Sequence, residues 1–304
     1  MLNQGNAQNS FKSGFVSLIG PPNTGKSTLL NRIIGQKISI ISPKPQTTRN
    51  RILGVWHGDS AQVIFFDTPG IHKSNKRLNK KMVQTALKTF PDSDLIIMMI
   101  DISKPSLEDT DGKLMISYIR TVKTPVFLVI NKIDLVPKVK ILELIDTSKD
   151  LFPFKEIIPI SALTGENCQD LMQTIISYLP PGPPYYPEEI ITDQTERFVA
   201  SELIREKMIL LTRQEIPYVG AVIIDKMETD PESGLVRIVA TIMVEKESQK
   251  GIIIGKKGEK LKEIGKRARQ EIEKLLGKHV YIEIWVKVAQ KWRDNERMLK
   301  QFGL

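Results

Sequence analysis

Residues 180–187 read PPGPPYYP, five prolines and one glycine in eight positions. Proline carries no backbone N–H and restricts φ, so neither a helix nor a sheet ladder runs through such a tract. The chain is therefore expected to fold as two bodies joined near residues 181–190, as its 304 residues also favour. With 41% apolar and 26% charged residues it has enough apolar content for packed cores, which excludes a disordered chain. A single cysteine, Cys168, cannot form an internal disulfide and fits a reducing compartment, so a cytoplasmic location is expected. The opening MLNQGNAQNSFKSG lacks the apolar core of a signal peptide, and residues 1–13 read as a flexible tail. Apolar runs such as LIIMMI at 95–100 are too short to span a bilayer.

Upstream of the proline tract, short apolar runs alternate with helical patterns. Strands are expected near 14–19, 51–57, 61–66, 94–100, 125–130 and 156–160. Helices are expected near 26–34, 75–90, 109–121, 138–148 and 167–179. This alternation predicts an α/β layer with a mostly parallel sheet. The short gap between 51–57 and 61–66 predicts one antiparallel hairpin at its edge. Downstream the pattern changes to an α+β order: a helix at 195–211, strands at 218–227 and 235–244, a helix at 258–276, a strand at 280–288 and a short last helix.

GPPNTGKS at 20–27 matches G-x-x-x-x-G-K-[ST] between an apolar strand and a helix. Gly20 and Gly25 let the backbone curl so that N–H groups, with those of Asn23, Thr24 and Thr28 nearby, face phosphate oxygens at a helix N-terminus. Lys26 reaches the β- and γ-phosphates, and Ser27 offers a hydroxyl to Mg²⁺. DTPG at 67–70 follows the strand VIFF, which suits Asp67 to hold the metal through water and Gly70 to present an N–H to the γ-phosphate. Alone it would read as a good turn. NKID at 131–134 chooses the base, because the Asp134 carboxylate can accept from guanine N1–H and its 2-amino group, and adenine offers neither. Asn131 can bond the guanine edge and the Lys132 stem can lie over the ring. In SAL, Ser161, Ala162 and Leu163 place a backbone N–H near guanine O6. Together these four motifs make GTP, and its product GDP, the expected ligand.

The motifs, in this order and at these intervals, resemble those of translation-factor-class GTPases. KPQTTR at 44–49, with IxG at 52–54, is similar to the first switch of the Era family of small bacterial GTPases. The resemblance implies that a switch threonine ligates Mg²⁺ when GTP is bound; that role falls on Thr48, with adjacent Thr47 the alternative register. Lys26, Thr48 and Gly70 then form the catalytic set. Ile71 stands where many GTPases carry a water-positioning glutamine, which implies slow intrinsic hydrolysis with water placed by backbone groups. Asn23 matches the asparagine associated with K⁺ activation in related GTPases, and is equally an ordinary loop residue. Arg49 and Arg51 carry no mark of an arginine finger, and His57 and His72 read as a strand residue and an exposed switch residue.

A second glycine pair lies in GIIIGKKGEK, beginning at Gly251. Only two residues separate Gly255 from Gly258, too few to wrap a phosphate chain, but suited to a clamp on nucleic-acid backbone with Lys256 and Lys257 facing phosphates. Ile252, Ile254 and Leu261 are candidates for lining the adjoining groove, or are simply core. Residues 246–304 carry 16 Lys/Arg against 8 Asp/Glu, net +8, whereas 187–245 carry 6 against 12, net −6. A basic end segment favours a polyanionic partner. IIGKKGEKL fits the KH pattern, whose GxxG loop joins two helices, and the element order is similar to the type II KH arrangement.

The Era resemblance then spans Phe15 to about Trp292. It implies a Ras-like P-loop GTPase domain at 14–180, a proline-rich linker at 181–190, a type II KH RNA-binding domain at 191–290, and a basic C-terminal helix or tail at 291–304. EIPYVGAV at 215–222, opening a strand of the second domain, and the tail VAQKWRDNE agree with it. It also implies a monomer that binds 16S ribosomal RNA near its 3′ end and assists assembly of the small (30S) ribosomal subunit. Peripheral contact with the inner face of the membrane is attributed to the family, and only a short amphipathic tail here speaks for it. The rival reading is a GTPase acting mainly through a membrane or protein partner, with the KH-like domain as a docking module. A metabolic NTPase lacks a second catalytic constellation.

Overall fold

The computed structural model describes residues 11–73, 77–105, 107–212 and 215–302. Most of the expected N-terminal tail falls outside these residues. The chain divides into two compact units: Met1–Lys37, Arg51–Lys73 and Ala86–Asp193 form the first, and Ile38–Asn50, Ser74–Thr85 and Gln194–Leu304 the second.

The first unit is a six-stranded sheet. Its elements are β1 (Lys12–Ile19), α1 (Lys26–Ile34), β2 (Ile52–Gly58), β3 (Ala61–Asp67), α2 (Arg77–Leu87, which begins in the second unit), β4 (Leu95–Asp101), α3 (Thr110–Ile119), β5 (Val126–Asn131), α4 (Lys138–Lys149), β6 (Glu156–Pro159) and α5 (Cys168–Tyr178). The strand order is β2-β3-β1-β4-β5-β6. All pairs are parallel except β2 with β3, the expected edge hairpin. AQVIFFD, LIIMMI and VFLVIN are buried along their whole length, save the final Asp101 of β4, as parallel strands covered on both faces must be. Strand β1 begins two residues earlier than its apolar run because Lys12 and Ser13 still pair with β3.

The proline tract does not hang between the units. It is laced onto the first. Ser13 N–H donates to Pro180 O, Gly182 N–H to Phe11 O, and Val55 N–H to Ile191 O. The Gln62 amide accepts from Tyr185 and Tyr186 N–H and donates to Tyr186 O, and the Thr192 hydroxyl donates to Leu53 O. Pro180 accepts from β1, the two tyrosines bond Gln62 of β3, and Ile191 and Thr192 just past the tract bond β2, so residues 180–192 lie as a strap on the first unit.

The second unit contains α6 (Glu196–Leu211), α7 (Ile216–Val219), β7 (Ala221–Thr229), β8 (Val236–Val244), α8 (Glu247–Ile254), α9 (Glu259–Leu276), β9 (Val280–Val288) and α10 (Glu296–Gln301). Its sheet runs β7-β8-β9, antiparallel then parallel. Two elements correct the expected order. EIPYVGAV does not open as a strand: Ile216–Val219 makes one helical turn, and β7 starts at Ala221. Helix α8 occupies Glu247–Ile254, hidden from apolar periodicity because ESQKGIII places its apolar residues in one block.

The segment Ile38–Asn50 belongs to this unit through packing and through two buried arginines. Ile40 joins its core. Ile41 N–H donates to Glu206 at 3.0 Å, and Arg205 donates to Thr47 O at 2.5 Å. Arg49 donates to the carbonyls of Pro217, Tyr218 and Gly220 at 2.8–3.2 Å, capping α7. Burial, with Arg205 alongside, pulls the Arg49 guanidinium down to about 9.

Candidate functional site

In the first unit the expected phosphate loop leaves the carboxyl end of β1, the strand where the sheet order reverses and where open α/β sheets place ligands. Gly20 and Gly25 take φ of 153° and 99°. A Cβ on Gly20 would lie 2.3 Å from Met99 O, and one on Gly25 would lie 2.1 Å from the Asn131 amide nitrogen. Both glycines are therefore required by space as well as by backbone angle. Gly70 is confined in the same way, since a Cβ there would meet Pro22 N at 2.7 Å.

Lys26 is buried, and its ammonium donates to Gly20 O at 3.2 Å and Pro21 O at 2.9 Å. Desolvation pulls it down to about 8 against the opposing pull of Asp67. A buried ammonium among neutral carbonyls is costly, and an anion beside it would offset that cost. Ser27 Oγ donates to Asp67 Oδ2 at 2.6 Å, so the hydroxyl and carboxylate already converge. Among the described residues no cluster of three His, Cys, Asp or Glu side chains could hold a metal. One hydroxyl with one carboxylate is a donor set suited to Mg²⁺, which is commonly completed by substrate phosphates and water. The cradle and the donors fit a nucleoside triphosphate with its magnesium.

The base-side motifs interlock. Asn131 donates to Thr24 O at 2.7 Å and accepts from Ala162 N–H at 2.9 Å, tying the phosphate loop to SAL. Ser161 Oγ donates to Asp134 Oδ1 at 2.6 Å and orients that carboxylate. Leu163 is exposed. Two residues escape sequence reading. Asp101, at the end of β4, pairs with Lys132 at 2.5 Å, and that contact holds its carboxyl below the usual range despite the burial that opposes it. Arg32 donates to Ala162 O and Leu163 O from α1. Asp101 had a signal, since it ends an apolar strand as Asp67 and Asn131 do. Arg32 had none.

Ile71 is fully buried and its N–H bonds Gly20 O at 3.0 Å, so it braces the phosphate loop from the core. Asn23 is exposed with φ of 65°, a left-handed conformation asparagine accepts readily. Thr48 is buried in the segment that groups with the second unit, and the neighbouring Thr47 hydroxyl is engaged by Lys44 O at 2.7 Å. Arg51 lies over the Phe66 ring, and the His57 ring contacts Ile190 O and Gln62.

In the second unit, Gly255 (φ 73°), Lys256, Lys257 and Gly258 (φ 79°) join α8 to α9. A Cβ on Gly255 would meet Lys260 Cβ at 2.8 Å. Both lysines are exposed. The loop opens on a groove of about 560 Å³ between α9 and β9, lined by Gly258, Leu261, Lys262, Lys266, Arg269 and Tyr281 among others. Of the apolar candidates, Leu261 lines the groove; Ile252 and Ile254 pack half-buried on the core. Lys262, Lys266 and Arg269 were not singled out in the sequence. Their i, i+4, i+7 spacing puts them on one helix face, but only the position of β9 shows that this face is the groove wall.

Comparison with known proteins covers both units. Residues 15–132 match the model of the 50S ribosome-binding GTPase family, and residues 215–293 that of the KH domain. GTPase Era of Syntrophus aciditrophicus is 51% identical over 293 residues, 96% of this chain and 95% of that protein. GTPase Era of Geobacter metallireducens is 51% identical over 298 residues, 98% and 99% of the two chains. A variant of Aquifex aeolicus Era bound to GDP·AlF₄⁻ superposes with a TM-score of 0.93 at 45% identity, covering 96% of this chain and 99% of that one. An Era structure in complex with MgGDPNP and nucleotides 1506–1542 of 16S ribosomal RNA matches with the same score, identity and coverage. A phosphate cradle and a GxxG groove in one chain, aligned end to end with these proteins, leave one conclusion: the chain belongs to the Era family of GTPases.

Proposed function

We propose that this GTPase is a GTP-driven switch that grips a single-stranded stretch near the 3′ end of 16S ribosomal RNA and assists assembly of the small ribosomal subunit. The observation that carries the reading is the basic groove behind Lys256–Lys257 in the same chain as an interlocked guanine-nucleotide site. A KH groove of this kind takes about four unstacked nucleotides and clamps their backbone at GxxG.

In the nucleotide site, Lys26 compensates charge on the β- and γ-phosphates, and the Gly70 N–H faces the γ-phosphate. Ser27 would ligate Mg²⁺ directly and Asp67 through water, the ion supplying charge neutralisation at the phosphate oxygens. Asp134, held by Ser161, accepts from guanine N1–H and the 2-amino group; Asn131 and Ala162 N–H address the opposite edge. Because Ile71 can neither accept a proton nor orient water, water is placed by backbone groups and turnover is slow. K⁺ near Asn23 would assist that placement.

The test is crosslinking of the purified protein to total RNA, loaded with GTP or with GDP. Contacts concentrated at the 16S 3′ end and dependent on the nucleotide support the proposal. Contacts spread evenly over all RNA, or identical in both nucleotide states, would sink it.

A further inference from the structure

The sheet of the second unit has two faces. Val280, Ile282, Ile284 and Val286 of β9 turn toward α6 and α9 and join the core. The alternate positions turn the other way, and there Tyr281 and Trp285 are 54% and 56% exposed. Large exposed aromatics on an open sheet face are unusual for a packed core and suit a base-stacking platform. The register places Arg237 of β8 beside Tyr281 and Thr241 beside Trp285, with Lys287 two residues further along the strand.

The face joins the groove without a break. Tyr281 and Glu283 line the groove between α9 and β9, and β9 is the free edge of the sheet. A strand leaving the groove over that edge meets Tyr281 first and Trp285 about 13 Å further on, four residues along an extended strand. Of the carboxylates on or beside this face, Glu228 pairs with Lys226 at 2.9 Å and Asp225 accepts from the Thr241 hydroxyl at 2.6 Å, while Glu283 stands between the two ring positions on β9. Among the described residues Arg237 and Lys287 make no salt bridge, although Arg237 acts through space on Asp230, so two cations flank the rings within reach of a phosphate backbone.

We infer that the open face of the β7-β8-β9 sheet is a second single-stranded RNA surface, on which Tyr281 and Trp285 stack bases that continue beyond the GxxG groove. The inference rests on the RNA-binding reading above. Stacking tolerates any base, so this surface extends affinity and length of strand held rather than reading sequence.

The experiment uses the full chain and two nested oligonucleotides from the 16S 3′ region, one of about five nucleotides to fill the groove and one of about twelve to pass beyond it. Trp285→Ala should weaken the longer strand by about 5- to 150-fold, the worth of one stacked base, and leave the shorter one unchanged. Trp285→Phe should keep most of the affinity. Of the three tryptophans, Trp292 is buried, Trp56 half-buried and Trp285 exposed, so the longer strand should quench intrinsic fluorescence in the wild type and not in Trp285→Phe. Gly255→Asp should lose the shorter strand. Unchanged binding of the longer strand by Trp285→Ala, or equal weakening of both strands, overturns the stacking surface and leaves the groove intact; the first result would free the face for a protein partner. Failure of the wild type to bind either strand overturns the groove reading itself, and this surface with it.

Discussion

The nucleotide site of the first unit and the groove of the second are built on opposite plans. The first is internal and over-determined. Lys26, Asp67 and Asn131 are buried, and side chains reach across loops to hold one another's backbone before a ligand is considered. The second is open: Lys256, Lys257, Lys262, Lys266 and Arg269 are all exposed, on a loop and one face of α9. A buried site gains affinity by preorganisation and is lost by single substitutions. An exposed basic site gains it by counterion release and declines charge by charge.

The sharpest way to break this comparison is Lys26→Met. Removing two or more charge-assisted contacts at about 1.5–3 kcal/mol each should weaken GTP binding at least about 100-fold, with RNA affinity unchanged. Equilibrium binding of both ligands to one preparation checks it, and a parallel loss of RNA affinity would mean that the two sites are not separable.

Ile71→Ala comes next. It empties a fully buried position, so unfolding stability should fall by about 2–5 kcal/mol. Single-turnover hydrolysis at saturating GTP and Mg²⁺ should persist in the folded fraction, because isoleucine is neither acid nor base. Complete loss with nucleotide still bound would show an essential positioning role.

A subtler effect belongs to the nucleotide-free protein. Lys26 falls from 10.5 to about 8 on folding, a cost of roughly 3 kcal/mol while both states are protonated. Below pH 8 that cost is constant. Between pH 8 and 10.5 the unfolded chain holds more protons, so wild-type stability rises toward that of Lys26→Met. Denaturant melts of both proteins from pH 7 to 10.5 should show Lys26→Met the more stable at neutral pH and the gap closing as pH rises. A gap independent of pH would place the ammonium in contact with water.

The smallest effects should come from the groove. In Lys256→Ala with Lys257→Ala, RNA affinity should fall by a similar factor for many sequences, and the slope of log affinity against log salt by about 0.7 per lost phosphate contact. GTP affinity should not move. An unchanged salt slope would return the pair to the status of a solvated turn.

The same contrast explains what could be read from the chain. GPPNTGKS, DTPG, NKID and SAL each need particular residue types at short fixed spacing, so their chemistry is written locally. Asp101 sits where such residues sit and was missed only because it carries no surrounding motif. Arg32, Arg205 and Arg49 act on carbonyls 130, 158 and 171 positions away, and nothing local marks them. Helix α8 was hidden by its block of isoleucines, and the groove wall of α9 needed β9 beside it to acquire meaning. The edge hairpin was legible from the gap between its strands, but the grouping of Ile38–Asn50 with the second unit was not, because it depends on Arg49 capping a helical turn that sequence alone read as a strand.

The strap of prolines has a consequence for how this protein behaves in a crowded solution. A six-stranded open sheet ends in two strands with unpaired backbone groups, each a template for another chain. At one end β6 is only four residues long and finishes at Pro159. At the other, β2 meets the strap, where Val55 N–H is taken by Ile191 O and Leu53 O by Thr192. Ile191 and Thr192, just past the prolines, occupy backbone groups of β2 that another chain would otherwise pair with. The tract that ends one folding unit thus also keeps neighbouring molecules from zipping onto it, and a chain cut between residues 187 and 191 would expose β2 and aggregate through that edge.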